Sequence, residues 1–214
     1  MTDQSNNLFD LSDDKLALLD LLLADEGIDD SSSDSAIAPR AQPDAPAALS
    51  FAQQRLYFLE AMSPGTALFN TPLALRLTGD LDEVALTQAC AALVQRHENL
   101  RTTFTAVSGT PQQIIHKEWP TQLETAQATA ADLDELLRNV GQRPFDLEKG
   151  PLLRFHLLQT SPSEHVLLIV FHHLIVDGWS IGIVVDELVA LYEAFAQQRQ
   201  PALPDLPIQY ADYA

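Results

Sequence analysis

Val166-Leu167-Leu168-Ile169-Val170-Phe171-His172-His173-Leu174-Ile175-Val176-Asp177-Gly178-Trp179-Ser180 is the stretch whose reading decides the fold. Six apolar residues run unbroken up to two histidines, the pattern of a buried strand. Side chains that follow one another along a strand point to opposite faces. One imidazole should therefore enter the core and the other leave it. Beyond the turn, Ser180 to Gln198 reads as a long helix, with Asp186, Glu187 and Glu193 on its wet side. Ser180 is a candidate cap for its first N–H groups.

Three chemistries compete for residues 172–180. Metal binding would use His172, His173 and Asp177, but imidazoles that diverge from a strand make a poor ligand pair. No Cys or His cluster at ligand spacing supports them, so no metal is expected. Gly178-Trp179-Ser180-Ile181-Gly182 fits the G-x-S-x-G elbow of serine hydrolases. That fold needs a histidine after the serine and its acid, and none follows His173. The third is acyl transfer to an amine or hydroxyl with one imidazole as base. An amine attacking a thioester need only lose a proton, and no nucleophilic side chain is required. Asp177 would then be structural, pairing with an arginine and fixing the turn. Gly178 would let backbone approach the reacting carbonyl.

Outward from this stretch, strands and helices alternate irregularly. Ser50 caps a helix over 51–62, and 73–77 alternates toward a strand. Residues 82–97 form an amphipathic helix. Strands over 101–105 and 112–116 pair around Ser108-Gly109, and 131–140 is helical. Strands over 152–158 and 166–171 join through Ser161-Pro162. The class is α/β or α+β, a mixed sheet flanked by helices. Ahead of it, Ser12 and Gly27 bracket a short leucine-rich helix with Leu16, Leu19 and Leu23 on one face. Residues 29–48, with three serines in a row and Pro39, Pro43 and Pro46, read as a flexible linker. The chain stops at Tyr210-Ala211-Asp212-Tyr213-Ala214, the start of a helix without a stop signal, which suggests a piece of something longer.

The 214 residues carry a net charge of −18. That disfavours nucleic acid and anionic membrane surfaces as partners. Half of the excess falls in residues 1–48, with eleven acidic and two basic side chains. The single cysteine, Cys90, excludes an intrachain disulfide and fits a reducing, cytoplasmic setting. No apolar run is long enough to span a bilayer.

Four separated segments stand out: Ser50-Phe51-Ala52-Gln53-Gln54-Arg55-Leu56-Tyr57-Phe58-Leu59, Arg96-His97-Glu98-Asn99-Leu100-Arg101-Thr102-Thr103-Phe104, His172 to Gly178 as HHxxxDG, and Tyr210 to Ala214. Together they resemble the signatures of the condensation domains of nonribosomal peptide synthetases. Arg143-Pro144-Phe145-Asp146-Leu147 and Gly150-Pro151-Leu152-Leu153-Arg154 also fit. The resemblance covers 49–214 and implies the N-terminal lobe of a chloramphenicol-acetyltransferase-like pseudo-dimer, without its C-terminal lobe. It implies amide bond formation between thioesters held on phosphopantetheine arms of upstream and downstream carrier domains. No cofactor would be bound by the chain itself. An adenylation domain would belong to the same synthetase. His173 would face the tunnel between the lobes and assist amine attack. His172 and Asp177 would be structural, with Arg101 as the partner of Asp177, and Gly178 would flank the tunnel. Heterocyclisation relatives replace the histidines with aspartates. Epimerisation relatives fit the Gly after Asp177 and the 96–104 segment less well. Residues 1–28 resemble the leucine-rich leader often found ahead of such domains, with 11–27 either docking an upstream carrier or packing on the chain's own domain. Alone, the lobe is expected to be inactive, or to serve only to bind carriers.

Overall fold

The computed structural model describes residues 37–43 and 45–214. The helix expected over 11–27 and the first part of the linker, with Asp44, lie outside the described residues. The elements follow in the order β1 (Ala47–Ala48), α1 (Phe51–Met62), β2 (Asn70–Thr78), α2 (Glu83–Arg96), a 3-10 turn (Glu98–Arg101), β3 (Thr102–Val107), β4 (Thr110–Ile115), β5 (Leu123–Gln127), α3 (Leu133–Gly141), β6 (Leu153–Ser161), β7 (Glu164–His172), α4 (Gly178–Ala196) and α5 (Tyr210–Tyr213).

The main sheet has the order β2-β7-β6-β5. β7 runs antiparallel to β2 and β6, while β5 joins β6 in parallel. β7 is buried from His165 to His172, which is why its apolar run does not alternate. β2 alternates between half-buried and exposed positions along most of its length, as a strand with one covered face does. Its nine residues, Asn70 to Thr78, pair with the whole of β7, so it extends beyond the expected 73–77. Helices α2 and α4 pack on one another, and Leu86, Cys90, Leu93, Val184, Leu188 and Leu191 join the strands in one core. A second sheet, β1-β4-β3, is antiparallel throughout.

Two expectations need correction, and one strand was missing from them. The linker expected over 29–48 gives way earlier, because a compact unit spans Ala38–Ala214. Ala47 and Ala48 pair with β4, and the Arg40 guanidinium lies 2.7 Å from Glu98 and 3.2 Å from Asp212. Strand β5 was not anticipated, since only Leu123 is even half-buried and no apolar alternation marks it. Glu187 is not on the wet side of α4. It is half-buried, with Oε2 3.0 Å from Arg96 Nε and 2.6 Å from His97 Nε2.

Candidate active site

The end of β7 separates the two histidines as strand geometry requires. The His172 N–H bonds Leu152 O at 2.8 Å on the β6 side, and the His173 N–H bonds Phe69 O at 2.8 Å on the β2 side. The side chains diverge in the same way. His172 is 2% exposed, between the rings of Phe69 and Phe145, and His173 is exposed. Among the described residues no group of three or more His, Cys, Asp and Glu could hold a metal ion.

Each imidazole has its tautomer set by one backbone contact. His172 Nδ1 lies 3.2 Å from the Leu174 N–H and accepts it, so the neutral ring carries its proton on Nε2. Burial first, then the neighbouring His173, push this imidazole down to about 4, so it is neutral at pH 7. His173 Nδ1 lies 2.8 Å from Val176 O, an atom that can only accept. The proton is therefore on Nδ1, and the Nε2 lone pair is open. Nε2 has no hydrogen-bond partner among the described residues. An exposed imidazole with its free nitrogen fixed in this way can take a proton from an approaching amine.

Asp177 caps α4. Its Oδ1 accepts the Ser180 N–H at 2.8 Å and the Ser180 hydroxyl at 2.6 Å. The Ser180 hydroxyl, then the Ser180 N–H, and nearby His173 among the lesser causes, hold its carboxyl below the usual aspartate value. The expected pairing with Arg101 does not form. Arg101 Nη1 donates to His116 O, Nε lies 3.4 Å from Gln95 O, and Nη2 lies 3.9 Å from Glu98. A guanidinium committed to the backbone carbonyls of Gln95 on α2 and His116 after β4 cannot also serve Asp177. Ser180 is likewise not the cap but the third residue of the helix, with its hydroxyl donated to Asp177. That arrangement leaves no imidazole against Ser180 Oγ, as a hydrolase elbow would need. Beside Gly178 a Cβ would meet nothing within 4 Å, so the backbone there faces open space.

Reading the sequence missed the side chains that hold the turn. Gln53 Nε2 donates to Leu174 O at 3.2 Å, and Asn99 Nδ2 donates to Ile175 O at 2.8 Å. With the His172 and His173 rings, every residue from 174 to 176 has a backbone atom fixed by a side chain. Gln53 is 2% exposed and fully used: its Oε1 accepts the Ser50 N–H, and its Nε2 also reaches Gln113 Oε1 at 3.3 Å. Removing it would strand buried polar atoms at about 1–3 kcal/mol each. The signal for Gln53 lay on α1. Gln53, Leu56, Tyr57 and Glu60 form its inward face at helical spacing, with polar residues at both ends.

Comparison with known proteins agrees with this geometry. The family model described as "Condensation domain" matches residues 45–214. The chain is 42% identical over 201 residues to one of the linear gramicidin synthase proteins of Brevibacillus parabrevis, covering 91% of this chain and 3% of that protein. It is 43% identical over 188 residues to phosphinothricin tripeptide synthetase PhsC of Streptomyces viridochromogenes, covering 85% of this chain and 17% of that protein. The chain thus spans less than a fifth of either relative. Among solved structures, the X-domain in complex with OxyB from teicoplanin biosynthesis superposes with a TM-score of 0.77 at 35% identity, over 83% of this chain and 39% of that one. The starter condensation domain of rhizomide synthetase shares the fold, with a TM-score of 0.70 at 22% identity, over 77% of this chain and 41% of that one. The chloramphenicol-acetyltransferase-like lobe expected from the sequence is the fold observed. With its histidine turn, its sheet and the match over residues 45–214 in agreement, this chain belongs to the condensation-domain family.

Proposed function

We propose that this chain is the histidine-bearing lobe of a domain that forms amide bonds in a nonribosomal peptide synthetase. The observation that carries the reading is His173, exposed at a strand end with Nδ1–H tied to Val176 O and Nε2 open. The donor acyl or peptidyl group and the acceptor amine arrive as thioesters on phosphopantetheine arms of upstream and downstream carrier domains. The acceptor nitrogen attacks the donor carbonyl carbon. A C–N bond forms, the C–S bond breaks, and the donor arm leaves as a thiol. Nε2 of His173 receives the proton that the amine loses and returns it to the departing sulfur. His172 and Asp177 hold the turn, and Gly178 borders the space for the arms. Tethering supplies effective concentration, so weak affinity for free substrates suffices.

A second lobe would close over His173, and an adenylation domain of the same synthetase would load the acceptor carrier. An imidazole on an open face does not exclude water, which supports inactivity of the lobe alone. Residues 11–27 of the leucine-rich leader we assign to docking an upstream carrier. Deleting them should lower transfer from that carrier about tenfold or more through lost effective concentration. Unchanged transfer would contradict the assignment.

The test of the function uses the whole synthetase with both carriers loaded. An N-acylated aminoacyl thioester on the acceptor carrier is expected, and release of the donor as free acid would overturn the reading. One alternative is a non-catalytic lobe that only binds carrier domains, and the complex of the X-domain with OxyB is an instance of a similar domain binding a partner protein. On that reading His173→Ala would leave both partner binding and peptide yield unchanged.

A further inference from the structure

Glu60 is the last inward-facing residue of α1 and is 6% exposed. Its Oε2 lies 3.6 Å from His172 Nε2, beyond hydrogen-bond range. Neither atom has a hydrogen-bond partner among the described residues. The proton on Nε2 faces the carboxyl, because Nδ1 already accepts the Leu174 N–H. Closing the gap takes a few tenths of an ångström. A cavity of about 360 Å³, bounded by Tyr57, Glu60, Pro64, Phe145 and Leu147, gives the carboxyl room to move. Packing alone does not call for an acid at this position. The same helix places Phe58, Leu59 and Met62 outward, where they are 64%, 37% and 66% exposed.

We propose that Glu60 is a positioning residue, which holds the His172 ring so that its Nδ1 fixes the Leu174 N–H and, through that turn, the tautomer of His173. The line runs from Glu60 Oε2 to His172 Nε2–H, from His172 Nδ1 to the Leu174 N–H, and along the turn to Val176 O and His173 Nδ1. It rests on the assignment of His173 to amide formation. Glu60 touches no substrate. Only its ability to accept a hydrogen bond matters, so a glutamine serves and an aliphatic side chain does not.

Two measurements test this. The first is ¹⁵N NMR of the histidine rings in the 214-residue chain. The wild type and Glu60→Gln should show His173 protonated on Nδ1, and Glu60→Leu should shift it toward the Nε2–H form. The second is kcat and KM for amide formation by the whole synthetase. Glu60→Leu should lower kcat about tenfold or more at unchanged KM, the scale set by a misplaced reacting group, and Glu60→Gln should restore it. Glu60→Met replaces Glu60→Leu if the latter does not fold. The proposal is overturned if the aliphatic variant keeps both the His173 tautomer and kcat, or if Glu60→Gln falls as far as Glu60→Leu. A His173→Ala control separates the two ideas. Full activity in that control defeats the function, whereas the NMR result judges Glu60 by itself.

Discussion

At His172, burial decides the charge state, and this gives the group's own contribution to stability a definite sign with pH. The folded imidazole titrates at about 4, whereas the same group in the unfolded chain titrates near 6.5. Between those values the unfolded state binds the extra proton, so stability falls as pH falls from 6.5 to 4. The loss from this one group is roughly 3 kcal/mol, since each tenfold change in proton affinity is worth about 1.36 kcal/mol. Asp177 acts in the same sense, its folded carboxyl lying below the unfolded one. Glu60, raised by burial, acts in the opposite sense. The His172 contribution is therefore read from its own ring signals: a ¹⁵N titration midpoint near 4 is expected, and one near 6.5 would contradict the burial argument. Cys90 offers a parallel check. It is 0% exposed, and burial pushes its thiol up to about 12. A disulfide reagent at pH 8 should leave it untouched in the native chain and titrate one thiol after unfolding. Rapid native reaction would mean that the α2 core opens.

At the scale of elements, helix α1 shows how much local chemistry a hydrophobic pattern conceals. Ser50 accepts the Gln53 N–H at 3.3 Å, and the Gln53 side chain accepts the Ser50 N–H at 3.1 Å, a reciprocal cap. The Ser50 hydroxyl also lies 2.9 Å from the Tyr210 hydroxyl, joining α1 to α5. Ser50→Ala should lower unfolding free energy by about 1–2 kcal/mol, measured by urea denaturation. No change would mean that the cap is replaced by water. The cap was legible from Ser50 at the head of the helical segment 51–62, whereas the buried duties of Gln53 and Glu60 were not. Periodicity locates apolar faces, and here the inward face begins and ends with polar residues, leaving Phe51 and Phe58 outside. Strand β7 was legible for the converse reason, since burial on both sides gives an unbroken apolar run. Strands β1 and β5 lie at sheet edges, where little apolar area is covered to mark the sequence. Arg101 was misassigned because its acceptors, His116 O and Gln95 O, are backbone atoms that no motif displays.

Across the whole Ala38–Ala214 unit, the separated family-like segments converge on one turn. The first supplies Gln53 to Leu174 O, the second supplies Asn99 to Ile175 O, and the third is the turn itself. Arg40 and Gln209 tie the two ends of the unit to the same 3-10 segment, through Glu98. Gln53, Asn99 and His172 thus hold one short loop, and the loop presents one imidazole. The most direct measurement is single-turnover amide formation between loaded carriers in the whole synthetase, wild type against His173→Ala. The account predicts a fall in rate of about 10²–10⁴-fold, the usual contribution of a positioned base, with carrier binding unchanged. An undiminished rate would contradict it.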